Sequence, residues 1–119
     1  MHVFPGFYLL SLDDALANVL AFRSDSRWES SWLPVLANGG GDFYLSDMSQ
    51  AAGPVRHFRL EEVEHPVEFS SLHSMIATIN AAIECNVIFV DGDGYLEMDD
   101  HAFGDVAAEM NPGVEWWSR

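Results

Sequence analysis

The 119-residue chain has no lysine, a single cysteine, and no apolar run approaching the twenty residues a membrane-spanning helix needs. Each absence closes off a class of protein. Five arginines stand against nineteen carboxylates, a formal net charge of −14. Phosphate backbones and anionic membrane surfaces are bound by clustered Lys and Arg, so neither nucleic acid nor membrane is an expected partner. Cys85 alone cannot close an internal disulfide, which excludes a disulfide-stapled secreted scaffold and favours a reducing, cytoplasmic setting. The apolar start, 1–10, carries no Lys or Arg and soon meets Asp13 and Asp14, unlike a signal peptide. No internal repeat, low-complexity tract or long linker divides the chain.

What is present suits one packed domain. Apolar residues make up 49% of the chain, with eight Phe, four Trp and three Tyr, at a length that supports one hydrophobic core. The charge is uneven along the chain. Residues 1–59 hold six carboxylates and four arginines, whereas 60–119 hold thirteen carboxylates and only Arg119. Such an excess implies either a solvated face that opposes aggregation or a surface aimed at a basic partner.

Periodicity predicts three helices. Ser11 with Asp14 three residues on is a capping-box variant, and Leu12, Ala15, Leu16, Val19 and Leu20 then recur at helical spacing as far as Phe22. Ser70 or Ser71 caps a second helix carrying Leu72, Met75, Ile76, Ile79 and Ile83 on one face. A third is expected over 100–110, stopped by Asn111-Pro112-Gly113. Arg23 to Ser31 reads as loop.

The strand signals are short runs. Trp32 to Leu36 is apolar, and its Pro34 implies an edge or an interruption. Asp42 to Asp47 alternates, with Phe43 and Leu45 on one side and Asp42, Tyr44 and Ser46 on the other, so a half-buried strand is expected. Val55 to Phe58 follows Gly53-Pro54. Residues 60–69 are acidic, contain Pro66 and read as loop. Asn86 to Val90 and Tyr95 to Asp99 flank Asp91-Gly92-Asp93-Gly94 as a hairpin. The fold class is therefore α+β, with a mainly antiparallel sheet of four to six strands that includes 42–47, 54–58, 86–90 and 95–99. Trp32 and Phe43 are expected in the core; of Trp116 and Trp117, one is expected to pack there and an exposed one to serve as a binding anchor.

No catalytic, cofactor or metal site emerges. Asp91-Gly92-Asp93-Gly94 resembles part of a calcium loop, but placing Gly94 at the sixth position puts Phe89 at the first, where an oxygen ligand is required. Gly39-Gly40-Gly41 lacks a following Lys-Ser/Thr and enters a strand instead of opening a helix, so it is a turn and not a phosphate cradle. His2, His57, His65, His73 and His101 never fall at zinc-ligand spacing. Cys85, at the end of the second helix's apolar face, reads as a buried small hydrophobe. With nineteen acids some pair falls at any separation, so a glycosidase-like carboxylate pair is not marked out.

The segment Trp32-Leu33-Pro34-Val35-Leu36-Ala37-Asn38-Gly39-Gly40-Gly41-Asp42-Phe43-Tyr44-Leu45 resembles the hallmark of the SUKH superfamily, the SMI/KNR-type proteins. That hallmark is an aromatic residue, an "(l/i)P(i/v)" strand, a glycine-rich turn and a "D-x-(y/f)-x-l-D" strand, with Asp47 as the second acid. Gly53-Pro54-Val55 is similar to the family's next strand, Leu10 to Ala15 to its "l-s-l-e-e-a" helix start, Phe69 to Ile79 to its late helix, and Asn111-Pro112-Gly113 with Trp116 or Trp117 to its close. Two departures stand out: the family's N-terminal "LP-x-(d/e)(y/f)" segment is not found, and the 86–99 hairpin is inserted before the close. The resemblance implies a non-enzymatic module, as in bacterial immunity proteins that neutralise toxin domains, many of them nucleases. The fungal relatives imply an alternative, an intracellular regulatory scaffold, and an acid-cluster hydrolase is a third reading. A basic partner is expected to contact Asp42, Tyr44, Asp91, Asp93, Tyr95, Glu97 and Asp99, the tyrosines as anchors and the carboxylates steering.

Overall fold

A computed structural model describes residues 2–118. It shows an α+β domain. Six strands, β1 (His2–Phe4), β2 (Phe7–Leu9), β3 (Trp32–Ala37), β4 (Phe43–Asp47), β5 (Val55–Phe58) and β6 (Val67–Phe69), form one antiparallel sheet in sequence order. Helix α1 (Leu12–Phe22) leaves β2 and packs on β3. Helices α2 (Leu72–Glu84) and α3 (Asp100–Met110) flank a two-stranded hairpin of β7 (Ile88–Val90) and β8 (Leu96–Met98), and a short 3-10 helix spans Glu115–Ser118.

The caps are local and sequence-driven. Ser11 Oγ accepts the Asp14 N–H (3.1 Å), Ser71 Oγ the Ser74 N–H (2.9 Å) and Asp99 Oδ1 the Ala102 N–H (3.1 Å), each satisfying one donor that a helix start leaves free. The faces that these helices bury are rotated from the expected ones. In α1 the inward row is Ala15, Val19 and Phe22, while Leu12, Leu16 and Leu20 face outward. In α2 it is Met75, Thr78, Ile79 and Ala82, leaving Ile76 and Ile83 exposed. Cys85 is exposed as well. The helix stops at Glu84 and Asn86 takes φ +59°, so the chain turns away before Cys85 can face inward.

The sheet carries a core on each side. One holds Trp28, Trp32, Ala37, Phe43, Leu45 and Phe58, against Phe22 of α1. The other holds Phe4, Leu36, Tyr44, Val55 and Phe69 against Met75, Ile79 and Ala82 of α2, Ile88 of β7, and Phe103 and Ala107 of α3. Trp32 and Phe43 are thus core residues. Pro34 lies in an interior strand, not at an edge. The β3–β4 register shifts between Pro34 and Leu36, and the extra residue Val35 sends Leu36 to the face opposite Trp32.

Three expectations change. Strand β4 is buried along its whole length, because α2 and α3 cover the face that the alternation left to solvent. Residues 67–69 of the acidic stretch form β6, and β1 and β2 extend the sheet at its other end. The 86–99 hairpin does not join the central sheet. It is tied to the helix end instead: the Val87 N–H donates to the Ala82 carbonyl (2.9 Å) and the Asp99 N–H to the Val87 carbonyl (3.0 Å). The stretch 23–31 is irregular, as expected, and its Trp28 is a core residue.

Candidate functional site

The glycine turn and its acids are scaffold. Gly39 and Gly41 take φ +83° and +100°, and a Cβ on Gly41 would lie 2.6 Å from Leu60 Cδ2. Asp42 Oδ1 accepts the Leu60 N–H (2.9 Å) and Oδ2 the Asn38 amide (3.1 Å), while Asn38 Oδ1 accepts the Gly40 N–H (2.8 Å). Asp47 is buried and accepts from Ser31 Oγ, the Ser49 N–H and the Ser49 hydroxyl (2.6 Å). The Ser49 hydroxyl is the main reason its carboxyl lies below the ordinary carboxylate range. Gly53 approaches Ser46 too closely for a side chain.

Tyr44 is not a surface anchor. It is 5% exposed and its hydroxyl donates to Glu68 Oε1 (3.1 Å), while Glu68 Oε2 lies 2.8 Å from His57 Nδ1. The His57 ring stacks on Tyr44 at 4.4 Å, its cross-strand neighbour. Glu68 is the extra residue of a bulge between the Val55–Phe69 and Arg56–Val67 pairs, which aims it at this pair. Burial first, and Glu68 second, hold the Tyr44 phenol well above its ordinary pKa of 10. The three groups fasten β4, β5 and β6 together. The Trp117 indole N–H donates to the Glu68 carbonyl and closes over the β6 edge.

Three arginines are spent on one loop. Arg27 donates to the carbonyls of Leu60 and Glu62, Arg56 to that of His65 and Arg59 to that of Glu64. Arg27 lies over the Phe58 ring (5.1 Å) and Arg56 over Trp32 (5.9 Å). His65 stacks on Phe58 at 4.3 Å, and burial, then the nearby Arg27 and Arg59, hold its pKa below the ordinary value. These guanidiniums hold the loop through its backbone carbonyls, and Glu61 and Glu62 stay exposed.

Of the expected contact residues, the structure brings together Asp91, Asp93, Tyr95 and Glu97 on the β7–β8 hairpin and separates Asp42 and Tyr44 from them. Asp91 Oδ1 accepts the Asp93 and Tyr95 N–H groups and so shapes the tip (2.9 and 3.0 Å). Asp99 is committed to capping α3. Leu96 and Met98 pack against the core, and Glu97 points outward opposite Phe89. Tyr95 and Val90 are 67% and 65% exposed. The sequence marks Phe89 and Val90 only as part of a strand and does not show that their side chains are exposed.

It also missed a groove of about 610 Å³ beside α2. Its floor is Val3, Leu9, Val35 and Leu36, one wall is Leu72, Ile76, Ile79 and Ile83, and Leu96 reaches it from the hairpin. A second cleft, about 530 Å³, lies between Asp100, Asp105 and the Trp116 and Trp117 rings. Among the described residues no group of three or more His, Cys, Asp or Glu is placed to hold a metal ion, and no helix is long and apolar enough to cross a membrane. Neither the known protein-family models nor the curated proteins include a match to this chain.

Proposed function

We propose that this chain is a non-enzymatic protein-binding module whose partner is a basic protein. One observation carries the reading. The layer built from residues 70–118 contains nine carboxylates and no Lys or Arg, and its hairpin exposes Tyr95, Phe89 and Val90 beside Asp91, Asp93 and Glu97. Exposed apolar side chains ringed by one sign of charge supply both contact area and steering, as a protein interface requires. The resemblance to the SUKH superfamily supplies the physiological form: a cytoplasmic immunity-type protein that occupies the phosphate-attracting face of a cognate, nuclease-like toxin. The test is co-expression with the product of the neighbouring gene, followed by affinity capture and a toxicity-rescue assay. Stable capture with rescue supports the reading. Rescue without complex formation, or capture without rescue, overturns neutralisation by occupancy.

A further inference from the structure

Helices α2 and α3 do not cover the whole of their side of the sheet. Over β1, β2 and β3 the floor of the groove is open, with Leu9 53% exposed, and the wall presents Ile76 (59%) and Ile83 (48%), seven residues apart on one face of α2. Soluble domains rarely leave so continuous an apolar surface without a partner. From Leu72 to Ile83 the wall runs roughly 16 Å, about three helical turns at 1.5 Å per residue. A further helix packed alongside α2 at the usual 8–10 Å spacing would lie over β1–β3 and complete the layer.

Charge selects the occupant. The elements bordering the groove carry exposed Glu84 and Glu97 with Asp91 and Asp93 at the hairpin tip, and no Lys or Arg occurs in α2, β7 or β8. A second copy, itself at −14, would bring like charge to like charge. Strand addition has little to grip, because the edge strand β1 is three residues long. We propose that the groove receives an amphipathic helix of the partner protein, apolar on the side facing α2 and rich in Lys or Arg on the other. This rests on the protein-binding reading and locates its apolar contact. The recognition mode is helix-in-groove, with anchors spaced i, i+3/i+4 and i+7.

The probe is a labelled 18-residue peptide with leucines at that spacing and lysines elsewhere, titrated onto the full chain at low and at moderate salt. Three control peptides accompany it: one with glutamates for the lysines, one of scrambled order, and one with a central proline. The expected result is saturable binding with gain of peptide helicity, amide shifts at Leu9, Val35, Ile76 and Ile83, and at least tenfold weaker binding by every control. Ile76→Asp weakens binding at least tenfold, and because Ile76 is exposed the thermal melt stays unchanged. Absence of binding by the lysine peptide overturns the proposal, as does equal binding of the scrambled or proline peptide. Shifts confined to 88–98 would move the contact to the hairpin, overturning the groove and sparing the module reading. A chain dimer abolished by Ile76→Asp would make the groove a self-interface and overturn it as well. The neighbouring-gene capture assay is independent of all these outcomes, so failure of the module reading registers there.

Discussion

The two sides of the six-stranded sheet are covered by unlike layers. On one side α1 and the Trp28 loop close an aromatic core, and Arg27, Arg56 and Arg59 bind the 60–66 loop down through its carbonyls. On the other, α2, α3 and the hairpin carry only acidic charge and leave a groove and an exposed hairpin face. The difference teaches where cations are needed. Where a loop must be ordered over a ring surface, a guanidinium satisfies backbone acceptors and stacks at once. Where none is present, Asp91 and Asp99 accept backbone N–H groups at the hairpin tip and the α3 start, and Asn111 bonds Thr78 and the Ser70 N–H, so these hydrogen bonds and apolar burial hold the layer without a cation.

The sharpest way to break this comparison is to empty the aromatic core on the α1 side and set it against the open wall on the other. Phe43→Ala, in the buried strand β4, should cost roughly 3–5 kcal/mol in a denaturant titration, whereas Ile83→Ala on the open wall should stay within about 0.5 kcal/mol. Similar values for the two would mean that the groove wall is packed.

Glu68→Ala comes next. It strands the Tyr44 hydroxyl and frees His57, and should cost about 1–3 kcal/mol, with Tyr44→Phe costing less because it removes the buried donor along with the bond. A double-mutant cycle checks this, and additivity of the two changes would deny the coupling.

The pH dependence sharpens the contrast further. His65 has a folded-state pKa below its unfolded value near 6.5, so the unfolded chain binds the extra proton. Its contribution is complete above about 6.5 and is lost as pH falls from there through the folded value. Chemical denaturation of the chain and of His65→Phe, compared between pH 8 and 5, should show a shallower loss for the variant. Identical slopes would contradict this. Asp47 acts in the same direction lower down, full above its unfolded value near 4 and lost in acid.

Much of the scaffold was legible in the chain. Ser11 and Ser71 announced their helices because a cap is a local hydrogen bond, whereas Asp99, read as a contact residue, proved to be the cap of α3; the Trp32–Asp47 block announced its hairpin because glycine at positive φ is a local demand. What the sequence hid was tertiary. Alternation in 42–47 separates two faces but does not say that both are covered, so Tyr44 read as a surface anchor. Leu12, Leu16 and Leu20 satisfy helical spacing as well as Ala15, Val19 and Phe22 do, and only the sheet decides which row it meets. Glu68 was masked by its acidic neighbours and by the bulge that turns it inward. The hairpin tip survived as a candidate because its turn chemistry and its exposure are both local.

The smallest expected effect on stability lies at that tip and is also the most informative. Asp93→Lys with Glu97→Lys should leave the denaturation midpoint unchanged, since both side chains are exposed and neither caps a helix. Asp99 is left intact because it caps α3. Association of the neighbouring-gene product with the chain and with this double variant, followed by stopped flow across a range of salt, tests the central claim that the acidic layer is an interaction surface. The account predicts slower association of the variant at low salt and a weaker salt dependence. An unchanged on-rate at low salt would contradict it and leave the acidic layer as a solvated face.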